Sequence, residues 1–199
     1  MSTREMQPEH GFTLVELMVS MVIIAVVGIT FLVFFKSALF DYLDLQTDAT
    51  NLTELSTQEM RLATVIRGLT NITSASANDL SVYAYFAPSD LYVSIVHYYL
   101  VQNGKATALM ADVTPMSANP PIGTPLTAQE KTYTIMDNFY EPSGGSLFTY
   151  LDVSDTPLTL PIADLTAIKS IQINLATPLS NGGGQSIGVQ VSLRNRETN

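Results

Sequence analysis

The chain has 199 residues, only 14% of them charged, and its 9 basic and 18 acidic side chains leave a net charge of −9. With no cysteine, a disulfide scaffold, a thiolate metal site, an iron–sulfur cluster and a cysteine nucleophile are all excluded. So acidic a chain lacks the electrostatic footprint for gripping a phosphate backbone, which argues against nucleic-acid binding. The hydrophobic fraction is 46%, and its uneven placement is the main clue.

Residues 12–35 read FTLVELMVSMVIIAVVGITFLVFF, with 19 of 24 apolar and Glu16 the single charge. At 1.5 Å per residue such a helix is about 36 Å long, enough to cross a hydrocarbon core of about 30 Å. An all-round apolar surface of this length is rare in a soluble core helix, so the segment is expected to span a membrane once. A cleaved secretory signal peptide fits less well. The apolar run is longer than such a peptide's core, it ends in Phe34-Phe35-Lys36 without a small-x-small site, and the preceding MSTREMQPEHG is not clearly basic.

Glu16 is the anomaly in that run. A carboxylate at mid-bilayer costs about 2.5–3.5 kcal/mol on insertion scales. It either sits at the interface and touches water, or it has a cationic partner. A free α-amino group is such a partner, mostly charged at neutral pH. Cutting the chain between Gly11 and Phe12 would make one four residues upstream.

Gly11-Phe12-Thr13-Leu14-Val15-Glu16, followed by the apolar run, resembles the processing site of type IV prepilins and type II secretion pseudopilins. The resemblance covers about the first 36 residues. It implies a leader, residues 1–11, removed by prepilin peptidase after Gly11, and N-methylation of the new N-terminus, Phe12. It implies that Glu16 sets assembly register, pairing with the Phe12 ammonium of a neighbouring subunit in an apolar filament core. Buried pairs of that kind are weak stabilisers but good register devices. Glycine before the cut leaves a protease cleft unobstructed and tolerates extended backbone. The chain departs from the family pattern in two ways: its leader lacks a clear positive charge, and its apolar helix has no proline, only Gly28.

Beyond Lys36 the helical pattern continues. Leu52, Leu55, Leu62, Ile66 and Leu69 recur at helical spacing, and no proline or glycine occurs between Lys36 and Arg67. One helix is expected over about 12–68, closed by Gly68 as a C-cap. Its leucine stripe reads as domain core in preference to a coiled-coil seam. Asp41, Asp44, Asp48, Glu54, Glu59 and Arg61 line its other faces.

Residues 70–79, TNITSASAND, read as a polar linker. Strands are expected at 80–86, at 92–102 and 105–111 around an Asn103-Gly104 type I′ turn, and at 132–136 and 146–153 around Gly144-Gly145. A final antiparallel pair, 168–175 and 186–193, flanks Gly182-Gly183-Gly184. Prolines concentrated between Pro115 and Pro125 mark 112–130 as a long exposed insertion. The expected fold is α+β: a long N-terminal helix, half membrane-spanning and half amphipathic, with its second half packed on an antiparallel sheet. Three regions follow: leader 1–11, membrane or filament-core helix 12–36, and an extracytoplasmic head 37–199 bearing 7 basic and 15 acidic residues, hence −8. In that head, Val96-His97-Tyr98-Tyr99-Leu100, Ile168-Lys169-Ser170-Ile171-Gln172-Ile173 and the ending Val189-Gln190-Val191-Ser192-Leu193-Arg194-Asn195-Arg196 are similar to J-type minor pseudopilins and larger minor pilins. On composition alone the ending is an edge strand with a basic end.

No catalytic arrangement stands out. His97 sits in an alternating strand, as core and surface imidazoles commonly do, and one mature histidine makes no zinc motif. The glycines at 182–184 form no phosphate-binding motif. Asp137-Asn138 with Glu141, and Asp152 with Asp155, offer oxygen ligands for calcium but match no EF-hand loop, and solvated loop carboxylates are the preferred reading. Asn51-Leu52-Thr53 and Asn71-Ile72-Thr73 match the glycosylation sequon. Tyr92, Tyr98 and Tyr99 are expected to pack across strands.

The resemblance therefore implies a structural subunit, not an enzyme, with no cofactor. It implies a minor pilin or pseudopilin held in the inner membrane before joining a pilus or pseudopilus, with a role at its tip or in its initiation. Its partners would be other subunits through the N-terminal helix, prepilin peptidase, the inner-membrane assembly platform and membrane lipid. The competing reading is a single-pass anchored ectodomain with a ligand-binding or enzymatic role and no filament. A DNA-uptake pilin is weaker, since only Arg194 and Arg196 offer a local basic patch.

Overall fold

The computed structural model describes residues 13–104, 106–140 and 145–193. The expected leader 1–11 with Gly11, and Phe12, Lys105, Glu141, Gly144 and the Arg194-Asn195-Arg196 ending, lie outside the described residues.

Helix α1 runs over Leu14–Arg67, 54 residues, as the unbroken pattern predicted. It ends without a left-handed glycine. The Gly68 amide donates to the carbonyls of Thr64 (3.3 Å) and Val65 (3.2 Å), and Leu69 donates to Ile66 (3.2 Å). These tight bonds satisfy the last carbonyls, and Gly68 stays out of the positive-φ region, so the expected glycine cap is replaced by a 3-10-type ending. The described residues divide into two compact units between Gln46 and Thr47. The first is the helix up to Gln46, whose side chains are exposed throughout.

The second unit holds the remainder of α1 and eight strands in two antiparallel sheets. The five-stranded sheet has the order β1 (Asn71–Ala75), β2 (Asp79–Ala84), β3 (Ser94–Asn103), β4 (Ala106–Pro115) and β5 (Lys131–Phe139). The three-stranded sheet has the order β6 (Phe148–Leu151), β7 (Ser170–Pro178) and β8 (Gly184–Ser192). The expected antiparallel sheet thus exists but is split in two, with β7 and β8 forming the predicted final pair.

Alternation explains the core. Leu55, Leu62, Ile66 and Leu69 are all at most 1% exposed, the period-3.6 stripe that faces the sheets. They share one apolar cluster with Leu80, Val82, Val96, Tyr98, Leu109 and Ala111 from the larger sheet and with Phe148, Tyr150, Ile171, Ile173 and Val191 from the smaller. Polar bonds join the sheets at the β1–β2 turn. Phe148 donates its amide to Ala77 O (2.9 Å), Leu147 to Asn78 Oδ1 (3.0 Å), and the Tyr150 hydroxyl to Ser76 O (2.8 Å).

Four local expectations are corrected. Residues 70–79 are not a linker: 71–75 form edge strand β1, paired with β2 through Asn71↔Tyr83 and Ile72↔Val82, with Ile72 the one fully buried side chain of that strand. The β3–β4 turn is shifted by one residue. Asn103 pairs with Ala106, which leaves Gly104, at φ +67°, as the first loop position, a conformation suited to glycine. The strands on either side of Gly144-Gly145 are no hairpin, because β5 pairs with β4 and β6 with β7. Finally, the exposed insertion expected over 112–130 begins only at Ser117 and is tied at its base. β4 continues to Pro115, Met116 bridges Pro125, and the Leu126 amide bonds Pro115 O at 2.8 Å.

Candidate processing and assembly segment

The helix begins immediately after Thr13, and that start is built by two side chains. The Glu16 amide donates to Thr13 Oγ1 at 3.3 Å, while the Thr13 amide donates back to Glu16 Oε2 at 3.4 Å. The Thr13 hydroxyl also donates to Glu16 Oε2 at 3.3 Å. This is a reciprocal capping box: two backbone N–H groups without helical partners are satisfied at once. The carboxylate also lies at the positive end of the helix dipole. The Thr-x-x-Glu spacing is itself a sequence signature of the box, and weighing Glu16 only as a charge in the bilayer misses it.

Downstream, the polar side chains of the apolar run fold back onto the helix. Ser20 Oγ donates to Glu16 O (2.7 Å) and Thr30 Oγ1 to Val26 O (2.9 Å). Both hydroxyls are therefore satisfied without water, as a lipid or filament interior requires. Around them the surface is apolar: Ile24 is 70% exposed, and Leu17, Met18, Val22, Val27 and Phe31 are exposed with it. Phe31 stacks on Phe35 with ring centroids 6.3 Å apart, and the Lys36 ammonium lies 5.7 Å from the Phe40 ring. A helix of this length and composition is able to cross a membrane. Each large apolar side chain left in water forgoes about 1.5–3 kcal/mol, so the surface calls for lipid or for other helices.

The remaining candidates are ordinary structural groups. His97 Nε2 meets Asp79 Oδ2 at 2.6 Å, each side chain near two-fifths exposed, and the imidazole stacks on Tyr99 at 4.9 Å. A pair so exposed contributes about 0–1 kcal/mol. Tyr98 and Tyr99 do not form one aromatic cluster. Tyr98 is buried while Tyr99 lies on the opposite face, because successive strand residues alternate. Burial, and then the Asp112 carboxylate, pushes the Tyr99 phenol up.

Asp152 Oδ1 accepts the amides of Ser154 (2.7 Å) and Thr156 (2.9 Å), closing a turn. Asp155, at φ +56°, accepts the Gln190 amide group at 2.6 Å. These carboxylates are engaged in the fold rather than simply solvated. Asp137 and Asn138 are exposed on β5. Among the described residues no group of three or more His, Asp or Glu side chains gathers to hold a metal ion.

A family model described as the prokaryotic N-terminal methylation motif matches residues 6–32. The matched stretch contains Gly11, Phe12 and Glu16 and supports a type IV pilin or pseudopilin reading of the N-terminal segment. No curated protein and no solved structure matches the chain.

Proposed function

We propose that the chain is a structural minor pilin or pseudopilin subunit, cut by prepilin peptidase after Gly11, methylated at Phe12 and assembled through its N-terminal helix. The observation that carries this reading is the methylation motif over residues 6–32, which takes in the start of a helix whose apolar surface is exposed from Leu14 onward. Assembly is driven by helix packing as the subunit leaves the bilayer. Glu16 keeps register by pairing with the Phe12 ammonium of a neighbour. The subunit sits in the inner membrane as leader 1–11, helix 12–36 and extracytoplasmic head 37–199, then moves into the filament. The J-like strands and ending support a tip or initiation role over a bulk shaft role, in contact with the assembly platform.

N-terminal mass spectrometry of the membrane-extracted protein tests this. The expected product begins at methylated Phe12, and replacing Gly11 by a bulky residue abolishes it. An intact Met1, or a cut after Lys36, overturns the reading.

One observation favours the rival reading, an anchored ectodomain outside any filament: the Thr13 capping box gives Glu16 a partner within its own chain. Glu16→Ala with normal membrane insertion and no loss of filament incorporation would support that rival.

A further inference from the structure

The head is strongly acidic, yet one cleft in it carries a free cation. A cavity of about 620 Å³ opens beside Phe86, and its lining includes Tyr92, Tyr133, Asp90, Gln129 and Lys131. Its walls are pre-formed. Asp90 Oδ2 accepts the Ala87 amide at 2.8 Å, and Asp90 returns its own amide to Ala87 O at 3.1 Å. That closes the turn from which Leu91 and Tyr92 reach the rim. The Met116–Pro125 bridge holds the segment that brings Met116 and Leu126 into the lining.

Phe86 forms the floor. The Arg61 guanidinium lies 5.0 Å from its ring centroid, and Tyr133 lies 5.0 Å from it at an interplanar angle of 35°. Tyr92 and Tyr133 each keep about two-fifths of their surface exposed, so both offer a ring to an occupant. Lys131 is exposed and makes no ion pair with another described residue.

We propose that this cleft binds a sugar bearing a carboxylate, such as a uronic acid residue of an acidic polysaccharide. The argument is a division of labour. Two exposed tyrosine rings suit the C–H face of a pyranose, since an aromatic face attracts polarised hydrogens as it attracts cations. Lys131 supplies a point charge for one carboxylate. Asp90, whose second oxygen is not used by the turn, and Gln129 accept and donate to ring hydroxyls. A fatty acid would leave Asp90 and Gln129 desolvated without partners, which costs affinity. A neutral sugar would leave Lys131 unused. Mostly apolar walls with a few convergent polar groups are the usual make-up of a small-ligand site. This site holds whether or not the chain enters a filament.

The test is calorimetric titration of the full chain in detergent micelles with trigalacturonate, with maltotriose as the neutral sugar and dodecanoate as the apolar anion. Trigalacturonate is expected to bind saturably and at least tenfold tighter than maltotriose. Lys131→Met should bring trigalacturonate down to the maltotriose level without changing maltotriose binding. Tyr92→Ala, at the rim, should weaken both sugars, with a thermal melt by circular dichroism confirming that it stays folded. Absence of saturable trigalacturonate binding at millimolar concentration overturns the proposal. So do trigalacturonate binding unaffected by Lys131→Met, and tighter binding of dodecanoate than of trigalacturonate.

Discussion

Thr13 and Glu16 bond reciprocally across the first turn of α1, each side chain accepting the other's amide hydrogen at 3.3–3.4 Å. The same carboxylate can therefore cap its own helix and carry the charge that a neighbouring ammonium would seek. These two roles separate under substitution. Gln at this position still closes a capping box, but it has no charge. Glu16→Gln should leave helix content and membrane insertion unchanged while filament incorporation falls at least tenfold, read from sedimentable filaments against total membrane protein. Thr13→Val removes the cap without touching the charge. It should cost about 0.5–2 kcal/mol at the helix start, seen as faster amide exchange over the first turn. Loss of assembly in Thr13→Val with Glu16→Gln unaffected would mean that capping, not charge, is what the filament needs.

The two halves of α1 should respond oppositely to truncation. Leu62 is 1% exposed and packed in the core, whereas Val27 is 62% exposed. Leu62→Ala should destabilise the folded chain by about 2–5 kcal/mol, since it removes buried methyl groups and leaves a cavity. Val27→Ala should leave unfolding in micelles unchanged while weakening self-association, because its contacts would lie in lipid or another subunit. Urea unfolding of both variants, followed by circular dichroism in the same detergent, checks the contrast.

That contrast was legible in the sequence because the leucine stripe repeats with the helix period and the apolar run does not repeat at all. Strand β1 was not legible. Its residues NITSA bury only Ile72 fully, so no alternation marks them, and the strand exists through pairing with β2. Nor was the division of the strands between two sheets, because partner choice is set by contacts distant in sequence, such as Tyr150 reaching Ser76 across 74 positions. The sugar-sized cleft has the same origin: Phe86, Tyr92, Lys131 and Tyr133 meet only after folding. By contrast the Thr13 capping box was fully local. Its spacing is masked by the apolar run around it, where a lone carboxylate stands out first as a charge in the bilayer.

Alkaline pH should unfold the head through two tyrosines. Desolvation by burial pushes the phenols of Tyr98 and Tyr150 well above their ordinary range, partly offset by Arg61 at Tyr98, while at Tyr150 the Asp79 carboxylate and the bond that the hydroxyl donates to Ser76 O both hold the proton on. Both stay protonated in the folded state after the unfolded chain has begun to ionise near pH 10. Above that point the unfolded state binds fewer protons, so stability falls as pH rises. It is fully present below about pH 10 and is lost progressively above it. Denaturant midpoints taken at pH 8, 10 and 11 should drop with pH. Tyr150→Phe should flatten that slope while costing about 1–3 kcal/mol at pH 8 for the carbonyls it leaves without a donor. An unchanged slope in Tyr150→Phe would show that the phenol does not titrate with unfolding.

The last hairpin is held by more than sheet pairing and core burial. Asp48 on α1 accepts both the Ser180 amide and the Ser180 hydroxyl at 2.9 Å, and Ser180 lies in the β7–β8 turn. That turn is closed locally as well, by Leu179 N–H to Gly183 O (2.9 Å) and Gly182 N–H to Leu179 O (3.0 Å), with Gly182 at φ +81°. The Asp48 contact therefore joins an already ordered loop to the helix across 132 sequence positions. Both residues keep contact with solvent, so each bond should contribute near the low end of the usual 0.5–1.5 kcal/mol. Asp48→Ala should lower global stability by about 1 kcal/mol but open the turn locally, speeding amide exchange at Ser180 at least tenfold with β7 protection unchanged. Faster exchange throughout β7 and β8 would mean that the contact secures the whole hairpin and not the turn alone.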